Sequence, residues 1–230
     1  MSIDTYQRMS SIQSRLDFIL DSLPEGTRLV AVSKFHPASM IQEAYEAGQR
    51  IFGESHVQEL QEKRSQLPED IQWHFIGHLQ TNKVKYIAPY ISMIHSADSP
   101  HLLAEISKQA LKYDRQIPCL LQLHVAQEAT KFGFTPQECL DFMAQGEWRN
   151  MAGIRISGVM CMASNVDDEV QIASEFEQAR QIFQTLKDQY FFHDDSFCEC
   201  SWGMSDDYPI AIRHGSTLVR VGSLIFGQRV

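Results

Sequence analysis

What the chain lacks narrows its function before any motif is considered. It has no run approaching the roughly 18 consecutive apolar residues of a membrane-spanning helix, so no membrane segment is expected. Its first residues, Met1-Ser2-Ile3-Asp4, lack the basic stretch followed by an apolar one that opens a secretory signal, which leads to the expectation of a cytoplasmic protein. Basic charge is short as well: 20 Lys and Arg stand against 29 Asp and Glu, a formal net charge of −9. That excludes a general nucleic-acid or anionic-membrane binder but leaves room for a small anion pocket. The Asn82-Lys83-x-Lys85 segment with Tyr86 is too small a basic patch to alter this. Cysteine is sparse, and its five positions (119, 139, 161, 198 and 200) are odd in number with no framework spacing. Cys198 and Cys200 would share one side of a strand, with no second pair to complete a zinc site, so buried free thiols are expected. His74 and His78 have helical ligand spacing but sit in a segment that reads as strand and turn, and no metal is expected. No Pro/Gly/Ser-rich linker interrupts the chain, so residues 1–230 are expected to form a single domain.

What is present centres on Leu29-Val30-Ala31-Val32-Ser33-Lys34, an aliphatic run that suits a strand buried on both faces, as in a parallel sheet. Alternation puts Val30, Val32 and Lys34 on one face and Leu29, Ala31 and Ser33 on the other. Pro37 then opens a helical pattern that Gly48 ends. A primary amine thus stands at the C-terminal end of a strand, where parallel α/β folds do their chemistry. A lysine so placed is paired with an anion, or serves as a neutral nucleophile that forms a Schiff base, or caps the strand and reaches solvent.

The same strand-then-helix grammar recurs along the chain. A leading apolar stripe (Met9, Ile12, Leu16, Ile19, Leu20) predicts a helix ahead of the first strand. Further strands are predicted at 50–54, 72–77, 91–95, 117–125, 154–160, 197–201 and 218–221. Helices between them are marked by Ser99-Pro100, by the capping box Thr135-Pro136-Gln137-Glu138, and by Ile172, Phe176, Ala179, Phe183 and Leu186 on one face. Eight strands at about 29 residues each match a single α/β (β/α)8 TIM barrel, with the leading helix taking the outer position that would follow strand eight.

Barrel closure would set strand eight beside strand one, bringing Arg220 near Lys34. Just past Arg220, Val221-Gly222-Ser223 is a small-residue turn whose N–H groups suit an anion, and Ser201 to Ser205 adds hydroxyls after strand seven. Loops after strands seven and eight are the recurrent phosphate site of these barrels. An amine and a phosphate cradle are the two things pyridoxal 5′-phosphate (PLP) requires.

Several motifs, in order over nearly the whole chain, carry a resemblance: Leu29–Lys34, Phe52-Gly53-Glu54, Val57-Gln58-Glu59, Trp73–Gly77, Ser201–Asp207 and Gly215–Gly222. In these the chain resembles the pyridoxal phosphate homeostasis protein family, whose fold is the barrel of the alanine racemase N-terminal domain. The resemblance implies that Lys34 holds PLP as an aldimine, that Ser201, Gly222 and Ser223 take the phosphate, and that Arg220 faces the pyridine nitrogen. One departure stands out: Gly53-Glu54-Ser55-His56 replaces the family's usual Gly-Glu-Asn-aromatic, so any cofactor contact of that asparagine is in question here. Ser216 and Thr217 are read as structural, entering strand eight. His74, His124 and Met160 are read as core or cavity lining, Lys131 as a loop lysine, and Asp167-Asp168-Glu169 as charge favouring a helix N-terminus.

An arginine at the pyridine nitrogen can only donate a hydrogen bond, which weakens the cofactor as an electron sink. Racemisation can still proceed with arginine there, but it needs acid–base groups on both faces of the substrate carbon. The second domain that supplies the opposing tyrosine in alanine racemase has no counterpart in this sequence. The expectation is a monomeric intracellular PLP carrier in vitamin B6 homeostasis, with PLP-dependent apo-enzymes as candidate recipients, rather than an enzyme. A PLP-dependent racemase or lyase acting on amino acids is the alternative, and a cofactor-free Schiff-base aldolase a more distant one.

Overall fold

Short strands rich in branched apolar side chains bury both faces, and in this protein they do so by closing on themselves. The computed structural model describes residues 11–126 and 132–228; Met9 and Lys131, named above, lie outside them. The eight strands are β1 (Arg28–Val32), β2 (Ile51–Glu54), β3 (Gln72–Phe75), β4 (Met93–Ala97), β5 (Ile117–Leu123), β6 (Ile154–Cys161), β7 (Glu199–Ser201) and β8 (Leu218–Val221). They form a closed barrel in sequence order, and every pairing is parallel, including β1 with β8. The outer shell comprises α1 (Ile12–Ser22), α2 (Ala38–Glu46), α3 (Val57–Arg64), α4 (Thr81–Ile87), α5 (Pro100–Leu111), α6 (Pro136–Gln145), α7 (Glu169–Tyr190), α8 (Tyr208–Arg213) and α9 (Ser223–Phe226). The chain is thus a (β/α)8 barrel, as its strand count predicts.

Alternation along each strand sorts the core into two layers. Val30, Met93, Leu120, Met160 and Leu218 point inward and fill the barrel. Leu29, Ala31, Phe52, Trp73 and Val219 point outward into the larger core beneath the helices. The expected helix signals appear as hydrogen bonds: the Ser99 hydroxyl accepts from Leu102 N at the start of α5, Thr135 and Glu138 cap each other's backbone on α6, and Asp168 accepts from Val170 N and Gln171 N on α7. On α1, Ile12, Leu16 and Ile19 are buried, whereas Leu20 is 43% exposed and lies off the stripe.

The differences have local causes. Strand β1 stops at Val32, because the Ser33 carbonyl accepts from His36 N and turns the chain. Strand β4 is displaced toward Ala97, because Ile91 N still closes a turn on the Ile87 carbonyl. A one-turn helix, α9, follows β8 where the sequence showed only a chain end. Four of the five cysteines are buried, but Cys198 is exposed rather than buried. Among the described residues, no helix is long and apolar enough to cross a membrane.

Ser216 and Thr217 close the ring. Strands β7 and β8 share a single registered pair, Ser201 with Leu218. Beside it the Thr217 hydroxyl accepts from Cys200 N and donates to Glu199, which also pairs with Arg28 of β1, and the Ser216 hydroxyl donates to the Trp202 carbonyl at 2.7 Å.

Candidate functional site

A cavity of about 420 Å³ opens at the C-terminal end of the barrel, within the size range of small-ligand pockets. Lys34, Arg220, Gly222 and Ser223, all expected at one site, lie on its wall. Two cationic side chains are thereby gathered in a chain of net charge −9, an arrangement that draws in an anion.

Lys34 is half-buried rather than buried, and it sits in the turn after β1. That turn closes by a hydrogen bond from His36 N to the Ser33 carbonyl, with Lys34 and Phe35 as its central residues. Phe35 has φ +67°, the left-handed conformation that this turn position ordinarily gives to glycine or asparagine. An aromatic residue held there stores roughly 1–2 kcal/mol of strain, beside Lys34.

Arg220 enters from β8 on the inward face, opposite Val30 of β1, and is buried. Its Nη1 donates to the Ser201 carbonyl and hydroxyl, each at 2.7 Å, and its Nη2 donates to the Cys161 carbonyl at 3.0 Å. These bonds use three of the five guanidinium N–H groups and leave two for the cavity it lines. Burial lowers the guanidinium pKa, while Asp207 nearby favours the charged form.

Beneath Arg220 runs a row of buried polar groups that crosses the barrel. Ser201 Oγ lies 2.9 Å from His95 Nδ1, and His95 Nε2 lies 2.8 Å from His74 Nδ1. Arginine only donates, so Ser201 Oγ accepts from it and keeps its second contact with His95 Nδ1. Burial holds both imidazoles neutral: His74 is pushed down to about 3, and His95 well below its usual value. Ser201 is 0% exposed and belongs to this row, so the structure does not bring it to the cavity wall.

Two hydroxyl-bearing segments meet beside the end of β1. Gly222 N donates to Ser205 Oγ at 3.4 Å, and Gly222 opens the short helix α9. A Cβ on Gly222 would lie 2.9 Å from the Val32 carbonyl oxygen, so only glycine lets β8 pass this close to the end of β1. Ser205 and His36 line the cavity but were not singled out from sequence; the signal for Ser205 was its place after β7, two residues beyond a glycine. His95 and Lys63 also escaped notice, His95 as an isolated strand histidine and Lys63 as one half of an exposed-looking Glu59/Lys63 helical pair. Ser55, in the place of the family's asparagine, is not among the lining residues, and His56 packs its ring 5.2 Å from that of Phe35.

An amine after β1, a guanidinium at the base and a glycine turn after β8 form a donor set suited to an aromatic aldehyde that bears a phosphate. The comparisons point the same way. Residues 8–230 match the family model described as alanine racemase, N-terminal domain. The pyridoxal phosphate homeostasis protein of Schizosaccharomyces pombe is 36% identical, over 96% of this chain and 94% of its own. That of Aquifex aeolicus is 32% identical, over 97% of each chain. Among solved structures, PipY of Synechococcus elongatus PCC7942 without PLP superposes with a TM-score of 0.88 at 35% identity, covering 94% of this chain and 100% of PipY; the PLP-bound form gives 0.85 at 34% identity, with the same coverage. The chain therefore belongs to the pyridoxal phosphate homeostasis protein family, built on the alanine racemase N-terminal domain barrel.

Proposed function

We propose that this protein binds PLP and serves intracellular vitamin B6 homeostasis as a single-domain, monomeric carrier that releases the cofactor to apo-enzymes in the cytoplasm. The observation that carries this reading is the meeting of Lys34, Arg220, Gly222 and Ser223 on one cavity of cofactor size. Relatives named for PLP homeostasis, and PipY solved with PLP bound, support it.

In this reading Lys34 supplies the amine, and the Gly222–Ser223 backbone with Ser205 holds the phosphate. Arg220 donates a hydrogen bond to the ring nitrogen. Ser201 acts through Arg220, fixing the guanidinium from below. Lys34 would hold PLP through its amine, and PLP when bound would supply the aldehyde for that amine, water being released. Arg220 cannot serve as an acceptor for a ring proton, so it withholds the pyridinium on which strong carbanion chemistry depends. This favours a carrier over an amino-acid racemase or lyase.

Purified protein mixed with PLP should turn yellow, and borohydride should fix a pyridoxyl group on the peptide containing Lys34. A label carried by Lys131 instead would sink the assignment.

A further inference from the structure

The Lys34 turn rests on a polar cluster outside the barrel wall. Lys63, on α3, is 5% exposed, unusually low for a lysine. Its Nζ donates to the Ser33 carbonyl at 2.7 Å, to Glu54 Oε1 at 2.7 Å and to Glu59 Oε1 at 2.6 Å, which uses all three ammonium hydrogens. Ser33 Oγ donates to the same Glu54 oxygen at 2.6 Å. Glu59 Oε1 accepts from Phe35 N at 2.5 Å. The cluster therefore grips the chain on both sides of Lys34: Lys63 holds the carbonyl before it, and Glu59 holds the amide after it. The residue so held, Phe35, has the unfavourable φ of +67°. These grips add to the turn bond from His36 N in holding that strained conformation.

We infer that Lys63, through Glu54 and Glu59, is a positioning residue that aims the Lys34 amine into the cavity. It does not line the cavity, and it reaches the turn that carries the amine directly through the Ser33 carbonyl and indirectly through Glu59. A loosened turn leaves the phosphate cradle and Arg220 intact, because those belong to β7, β8 and α9. Binding that requires the amine should then fail separately from binding that does not. The inference rests on the PLP reading above.

The test uses two ligands on the full chain: PLP, and pyridoxine 5′-phosphate, which has the same ring and phosphate but no aldehyde. In Lys63→Met, borohydride-trapped labelling of Lys34 by PLP should slow at least about tenfold, the scale of a small misplacement of a reacting group. Pyridoxine 5′-phosphate affinity should change less than about twofold. Glu59→Ala, at a side chain 21% exposed and outside the apolar core, should show the same split, and it carries the test should Lys63→Met fail to fold. Labelling at the wild-type rate in Glu59→Ala, or equal losses for the two ligands, overturns the inference. Absence of Lys34 labelling in the wild type overturns the PLP reading itself, a separate outcome.

Discussion

At the scale of single residues, two small side chains near the cavity have opposite kinds of importance. Ser201 was expected at the phosphate, yet it is fully buried and bridges Arg220 to His95. Ser201→Ala removes an acceptor from Arg220 Nη1 and the hydrogen-bond partner of His95 Nδ1, leaving buried polar groups short of partners. It should cost about 1–3 kcal/mol of stability in urea unfolding, while inorganic phosphate competes with PLP as it does in the wild type. Gly222→Ala should do the reverse. Its methyl group meets the Val32 carbonyl at 2.9 Å, so β8 must shift exactly where the phosphate is to be held, and phosphate competition should weaken by about tenfold, a loss of about 1.4 kcal/mol. Equal phosphate competition in both variants would remove the distinction. The residue types at this site were readable in the sequence, since a strand-end lysine and a Gly-Ser turn after an arginine each carry their own chemical reason. Which of two serines faces the cavity was not, because Ser201 and Ser205 differ only in where β7 stops and the chain turns.

At the scale of elements, strand alternation places a polar row inside an apolar barrel. His74 on β3 and His95 on β4 face inward among Met93, Met160 and Leu218, and they hydrogen-bond each other and Ser201. Their neutrality links stability to pH. His74 is held at about 3 against 6.5 for an ordinary imidazole, mainly by burial and secondarily by Arg28. The unfolded chain takes up a proton below 6.5 that the folded chain refuses, so the contribution is complete above that pH and is lost as pH falls toward 3. Between pH 7 and pH 5 His74 alone should cost about 2 kcal/mol, with His95 acting in the same direction. Glu54 and Asp207, whose carboxyls burial pushes up, act in the opposite sense, so the informative comparison is with His74→Gln. Urea unfolding at the two pH values should show a smaller acid loss in that variant; an unchanged difference would mean that His74 takes up a proton inside the barrel. The elements themselves were largely legible, because period-2 apolar runs and capping signals such as Thr135-x-x-Glu138 are local. The row was not, since His74 and His95 are 21 positions apart and meet only when β3 and β4 pair. The ends of β1 and β4 escaped for the same reason: a turn bond and a trailing helical bond, neither written in apolar periodicity, set them.

At the scale of the whole molecule, the question is whether the barrel performs chemistry or only holds its ligand. The titratable side chains on the described cavity wall are Lys34, His36, Asp206 and Arg220. Carbanion formation next to an amine needs an electron sink, and the group at the base of this cavity is a guanidinium anchored by two backbone carbonyls and a serine. A permanent cation there opposes protonation of a neighbouring ring nitrogen, by about one to a few pKa units at close range, each worth about 1.4 kcal/mol. Replacing Arg220 by glutamate would seem the natural way to supply the missing acceptor, but it would set a carboxylate against the Ser201 and Cys161 carbonyl oxygens with no donor to replace the guanidinium. Burying an unpaired charge in this way costs about 3–5 kcal/mol, so that variant tests folding rather than catalysis. The wild-type protein provides the cleaner experiment. Loaded with PLP and incubated with L-alanine in heavy water, it should exchange the α-proton at a rate close to that of an equal concentration of free PLP. Lys34→Ala should lower even that rate, by removing the amine nearest the substrate carbon. Fast exchange with scrambled stereochemistry by the wild type would make this barrel an enzyme and its Arg220 a tolerated handicap, and the carrier reading would fall.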